Sequence, residues 1–534
     1  MSLLNTVIEA AEASGLFRHT ISRVAINHIA GSTPPRPRPL SLWSHLPKPD
    51  DPQRQGPVND YTSWPGLTDR SWSGRHLPPA PQADIDHLPA QGPFDPSGKA
   101  MGPVLALFAR GSSMQTDRSS VLFSFFAQWF TDSFLRTGQP DRRRNTSNHE
   151  IDLCQIYGLT EDTARLLRSH EGGQLRHQII GGEVYPDALY ERAADGSLKV
   201  KAHYQGLPYI AQGTLDWILQ QQGGVGGIPD ERRAKLYATG LERGNSSIGY
   251  AAMSTLFLRE HNRLCQGLQA RNPSWDDERL FQTARMINIV QLIRIVVEDY
   301  INHIAGHRVF VFDNSFAEAQ PWYRTNWMSV EFDLVYRWHG LVPDTVNVNG
   351  KAYQPGQFMI DNALLESLSL LALITGASQE PAGKIGLFNT PHFLLGAEYQ
   401  SVKMGRDFRL QGFNDYRERF GMDRLRSWDE LTSDARVKEA LQALYKDIDK
   451  LELVIGLLAE EAKDGALFGG LLNTMVAVDA FTQALTNPLL ASQVYTAETF
   501  SAWGLEQIQA TPSLQALVDR NVKGSTRASF GHGG

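Results

Sequence analysis

Tyr336 and His339, three residues apart in EFDLVYRWHGLVPD, have the types and spacing to do chemistry together. On a helix that ends near Gly340 and Pro343 they share one face. A neutral imidazole is an ordinary axial ligand of haem iron, and a phenol one turn away reaches the edge of the same site. Tyrosine and tryptophan near a helix end are also common core residues, so spacing alone leaves both readings open. Other chemistries lack their residues: there is no HExxH, no GxxxxGK phosphate loop and no GxSxG turn. Two cysteines, Cys154 and Cys265, supply neither a disulfide framework nor a cysteine zinc cluster and fit a reducing compartment.

The elements that must position this pair are helical. With 534 residues, 42% hydrophobic and 20% charged, the chain can bury a large core. Its net charge of -7 argues against a general nucleic-acid binder. Apolar residues recur at helical spacing over 247–270, 325–339, 359–377, 437–461 and 471–486. A long stripe from Met286 to Ile304 marks a central core helix, capped near Ser274-Trp275-Asp276-Asp277. Strand signals are confined to VFVFD and TVNVNGKAYQ, the latter turning at Asn349-Gly350. The reading divides the chain into amphipathic helix at 1–30, a Pro/Gly-rich extended arm at 31–115, a catalytic body at 116–520 and a disordered tail at 521–534. Trp43, Trp64 and Trp72 pin the arm to the body. Residues 1–30 pack on the body or lie on a membrane surface. No segment reaches the roughly 18 apolar residues of a membrane span, and the first residues lack a secretory h-region. A cytoplasmic protein is expected.

YRWH followed by LVPD resembles the proximal-histidine motif of the cyclooxygenase and animal haem peroxidase superfamily. FAQWFTDSFLRT at 126–137 is similar to the distal helix of that family, and IDLCQIYG at 151–158 to the turn after it. LFLREHNRLCQGLQARNPSWDDERLFQTAR resembles its central helix pair, and GFNDYRERFGM, LYKDIDKLELVIGLL and ALTNP continue in the same order. The likeness spans residues 15 to 515. It implies an all-α haem peroxidase-like fold with little β, His339 as the proximal iron ligand and Tyr336 as the radical tyrosine. It also implies Tyr300 as a support of that tyrosine, Asn414 as the partner of the second nitrogen of His339, Gln128 as the distal glutamine and Arg243 as a distal arginine.

Departures from the family pattern sharpen the expectation. Asp132 stands where the distal histidine moves a proton between peroxide oxygens, so peroxide turnover should be weak while oxygenation survives. Thr131 and Ser246 replace the acids that esterify haem, implying non-covalent haem b. Ser133 replaces an acidic calcium ligand, which leaves calcium unplaced. Ala480 stands at the position of the serine that aspirin acetylates in cyclooxygenases. The carboxylate-binding arginine falls near His28-Ile29 and its tyrosine partner at His307; Arg18, Arg23, His307 and Arg308 remain candidates. Phe332, Leu334, Val335, Val476 and Phe481 line a substrate channel or are plain core. The resemblance implies a haem-dependent dioxygenase of linoleate-like fatty acids using O2, similar to prokaryotic linoleate 10-dioxygenase-type relatives. The alternatives are a peroxidase of small substrates, a fatty-acid α-dioxygenase, or a haem- or lipid-binding protein without turnover.

Overall fold

The computed structural model of the protein describes residues 18–32, 70–95, 101–138, 141–223, 228–463 and 466–532. Among these the sheets are all two-stranded and antiparallel, and helices build the body. Strand β1 (Gln115–Ser120) leads directly into helix α1 (Val121–Thr131), whose first turn is capped by Ser120 accepting from Phe123 N. Two long helices joined by a short loop form the centre, α2 (Ile248–Arg271) and α3 (Asp277–Ile295). Every residue of α2 from Ile248 to Asn262 is buried, charged ones included. Glu260 is tolerated there because Arg263 (2.8 Å), Arg520 (3.3 Å) and the Gln291 amide (2.8 Å) surround it.

The cap of α3 is Asp276, which accepts from Arg279 N at 2.8 Å, rather than Ser274. The helix runs through a π-turn at Val296–Tyr300 into α4 (Ile301–Ala305) and stops at left-handed Gly306. The stretch Asp277–Ala305 is long and apolar enough to cross a bilayer, but it is mostly buried in protein.

Several expected helices are broken where a backbone turns left-handed. Residues 359–377 divide at Ser369 (φ 73°), and 437–461 divides after Lys446 (φ 62°). VFVFD forms no strand: the Asn302 side chain holds both the N–H and C=O of Phe310, and Ser22 takes Val311 N. The Asn349-Gly350 hairpin is present, with φ of 52° and 76° at its two central residues.

The two ends of the chain differ from expectation unequally. Residues 1–17, and Trp43 and Trp64 in the arm, lie outside the described residues. The helix Arg18–Ser32 packs on the body through Ser22, Asn27 to Trp322 (2.9 Å) and Arg23 to Asp313 (2.5 Å). Trp72 is buried beneath the guanidinium of Arg144, 3.9 Å from its ring centre. The disordered tail is a correction. Phe530 is buried against Phe123, Phe126 and Tyr300, and the backbone of 529–532 bonds to Arg118 and Ser120. One aromatic residue in a polar stretch is enough to dock it.

Candidate active site

Helix α1 has two faces. Phe123, Phe126, Phe130 and Phe134 recur every three or four residues and form an aromatic stripe. Tyr300 lies on it, its ring centre 5.3–5.6 Å from those of Phe123, Phe126 and Phe130. Tyr336 meets the same stripe at Phe134 (6.3 Å), with Phe332 (5.1 Å) and a stacked Trp338 (4.5 Å) closing around it. Burial pushes the Tyr336 phenol well above its usual range, and the Asp479 carboxylate adds to this. The two hydroxyls interact: Tyr300 eases ionisation of Tyr336, while Tyr336 opposes that of Tyr300. Among the described residues no hydrogen bond of full geometry reaches Tyr300 Oη.

The helix that brings Tyr336 into place, α5 (Val330–Val335), is shorter than the expected 325–339. Tyr336 is its C-cap, and His339 begins a separate 3-10 turn, His339–Leu341. The shared helix face is therefore corrected to a helix end followed by a turn. That turn is held from outside: Arg110 donates to Gly340 O (3.2 Å) and Val342 O (2.9 Å), and Asn389 braces Lys384 O (2.7 Å). A Cβ at Gly383 would come within 1.9 Å of Gly340 O, so glycine is required for this approach.

The partner of His339 is also corrected. Nδ1 stands 3.0 Å from Glu398 Oε1, with its N–H not aimed along that line. Glu398 lies on α6 (Leu395–Asp407) and is fully buried; Thr390 Oγ1 donates to Oε1 at 2.8 Å. Asn414 is spent elsewhere, its amide donating to Leu425 O (2.9 Å) and Asp449 Oδ1 (2.8 Å). Glu398 sits in GAEYQ, where nothing in spacing or composition marks it.

The opposite face of α1 is polar. Gln128 is accessible in the middle of an otherwise buried helix, and Asp132 caps its end. Tyr250 Oη donates to Asp132 Oδ2 at 2.9 Å, and Arg243 Nη1 is 3.6 Å from Oδ1. Burial raises the Asp132 pKa; Arg243, Arg136 and Tyr250 pull it back only in part. The Arg243 side chain is 60% accessible, so the Asp132 end of α1 borders accessible space. Tyr250, which fixes Asp132, carries no sequence signal, because a tyrosine in an apolar helix reads as core.

Of the channel candidates, Phe332 touches Tyr336, and Val335, Val476 and Phe481 are buried, the last against Phe310 at 4.7 Å. Val476 and Phe481 lie on α7 (Gly470–Leu485). His307 and Arg308 follow Gly306, and Arg308 faces Asp299. Arg23 is committed to Asp313 and Ser315. Ser133 Oγ is taken by the Gln155 amide at 2.9 Å, and among the described residues no three His, Cys, Asp or Glu form a metal cluster.

These residues fit an iron porphyrin. The Nδ1 side of His339 is turned to Glu398, which leaves Nε2 as the ligating nitrogen, and Gln128 and Arg243 present accessible polar groups at the polar face of α1. Residues 105–530 match the animal haem peroxidase family model. Prostaglandin G/H synthase 2 of Cavia porcellus is 33% identical over 501 residues, 92% of this chain and 77% of that protein. Prostaglandin G/H synthase 1 of Rattus norvegicus is 33% identical over 484 residues, 89% and 74% of the two chains. Among solved structures, the fatty acid alpha-dioxygenase of Oryza sativa superposes with a TM-score of 0.68 at 17% identity, covering 99% of this chain and 96% of that one. Peroxidase A of Dictyostelium discoideum gives 0.65 at 18% identity, over 83% and 95%. These two structures establish the fold: mostly helical, haem peroxidase-like, with little sheet.

Proposed function

Because the chain belongs to the animal haem peroxidase family, we propose that it is a haem-dependent dioxygenase converting a linoleate-like fatty acid and O2 to a hydroperoxide, as in prokaryotic linoleate 10-dioxygenase-type relatives of cyclooxygenase. The environment of Tyr336 carries this reading: a partly buried phenol at the end of an aromatic stripe, three residues from an imidazole suited to iron. Haem b would be held non-covalently by His339, with Gln128 and Arg243 bordering its site, and once oxidised by a trace of hydroperoxide would take the electron as the Tyr336 phenol loses its proton.

The chain does the rest by position and exclusion of water. The Tyr336 phenoxyl takes a hydrogen atom from a doubly allylic CH2, where the carbon radical is delocalised. O2 adds at one end, and the peroxyl radical takes the hydrogen back from the Tyr336 hydroxyl, so the tyrosyl radical is restored. Phe134, Phe332 and Trp338 pack around the phenol, and Tyr300 is the one hydroxyl that interacts with it among the described residues.

Oxygen uptake with linoleate tests the proposal. The wild-type protein should consume O2 and Tyr336→Phe should not, with loss greater than about 1,000-fold if the tyrosine is the only hydrogen acceptor. Uptake that survives in Tyr336→Phe would sink the tyrosyl mechanism. Mass spectrometry of the product separates oxygen at the pentadiene from oxygen at carbon 2, the α-dioxygenase outcome.

A further inference from the structure

His339 is ordinarily thought of only by the nitrogen it offers to iron, but its other nitrogen faces an unusual neighbour. Glu398 is a carboxylate with no exposure to solvent and, among the described residues, no arginine or lysine at ion-pair distance. Among the same residues it receives one hydrogen bond, from Thr390, on the oxygen that also lies 3.0 Å from His339 Nδ1, and Oε2 has no partner. A buried carboxylate costs several kcal/mol unless paired. An aliphatic residue of similar size at this place in α6 would avoid that cost, so the position has a use that depends on the acid.

We infer that Glu398 is the hydrogen-bond acceptor for His339 Nδ1 and, through the imidazole, a positioning residue that lowers the reduction potential of the iron. This rests on the haem reading above. The N–H now points off the oxygen, but the imidazole turns about a broad sp3–sp2 torsion, and such bonds tighten when the site is loaded. An anionic acceptor on Nδ1 draws the proton toward itself and makes Nε2 the stronger donor, which favours ferric over ferrous iron. A neutral amide, the kind of partner expected of Asn414, would do this far less.

Two features hold the acid where it is needed. Thr390 fixes Oε1, and its own backbone bonds to Phe108 and Arg110 on the same layer that braces Gly340. The loop carrying His339 and the helix carrying Glu398 are thus tied to one support, Arg110 with Asn389.

The test uses the haem-loaded protein and the substitutions Glu398→Gln and Glu398→Asp. The ferric/ferrous midpoint is read by spectroelectrochemistry and the iron–histidine stretch of the ferrous form by resonance Raman. Glu398→Gln should raise the ferrous-to-ferric ratio at the wild-type midpoint about tenfold, a rise in midpoint of about 59 mV for a one-electron couple, together with a lower stretching frequency. Glu398→Asp, with the charge kept, should move both readouts less. A wild type with a histidine-ligated spectrum and a Glu398→Gln variant unchanged in both readouts overturns this inference alone. A wild type without a Soret band overturns the haem reading and this inference with it. Should Glu398→Gln fail to fold, Thr390→Val, which removes the competing donor at Oε1, should lower the midpoint; an unmoved or raised value overturns the inference.

Discussion

The two faces of α1 and the residues just after it hold opposite surroundings. On one, four phenylalanines press on Tyr300 and Tyr336, whose hydroxyls interact with each other, Asp479 acting on Tyr336 as well. On the other, Gln128, Asp132, Arg243 and Tyr250 assemble acceptors and donors. A radical needs a neighbourhood that neither protonates it nor gives up hydrogen, and peroxide cleavage needs a group that moves protons. Under the proposed function the helix separates these needs by about half a turn. Its polar face is where the sequence resemblance leads us to expect a departure from the family, since an aspartate held by a tyrosine and an arginine is a poorer proton shuttle than an imidazole.

The strongest way to break this comparison is Asp132→His. If the polar face is disabled by one residue alone, steady-state guaiacol oxidation with hydrogen peroxide should rise about 100-fold or more. No gain would mean that the aspartate is not what limits peroxide turnover. Robust guaiacol oxidation by the wild type would overturn the assigned weakness directly.

The aromatic face extends beyond α1, and the C-terminal tail belongs to it. Phe530 fills the space beside Phe126 (4.9 Å) and Tyr300 (6.0 Å) and is buried. Phe530→Ala should cost about 3 kcal/mol, read by chemical denaturation, and should slow linoleate oxygenation by loosening Tyr300. Phe530→Leu should restore most of both. A variant as stable and active as the wild type would detach the tail from the tyrosine site.

Legibility from sequence followed range. Local signals held wherever the deciding contact was close in the chain: the long apolar stripe became α3 and its extension, and Asn349-Gly350 became a turn. The ordered motifs implied the family, and the comparisons bear that out. What the chain hid was decided by distant partners. The helix expected through His339 stops at Val335, and the turn after it is held by Arg110 through Gly340 O and Val342 O, 230 and 232 residues away in the chain. Asn414 gave way to Glu398, which carries no motif, and Phe530 lies in a stretch whose composition reads as unfolded. Spacing finds faces of helices; it does not find which side chain from another helix meets them.

The smallest predicted effect probes how the aromatic face keeps charge away. Asp299 directly precedes Tyr300, and the π-turn at Val296–Tyr300 sends the two in different directions. Tyr300 goes to the phenylalanines, while the Asp299 carboxylate accepts from Leu514 N at 3.0 Å and faces Arg308. Burial raises its pKa to about 6 from 3.8, more than these two partners offset. The acid is therefore bound more tightly by the folded state, and its contribution to stability is full below pH 3.8 and lost as pH rises through about 6. Asp299→Asn removes the titration. Relative to wild type, the variant should gain on the order of 2–3 kcal/mol between those pH values, visible as a widening difference in thermal midpoints. A constant difference would mean that Asp299 ionises as freely as an exposed acid, and that the turn does not confine it.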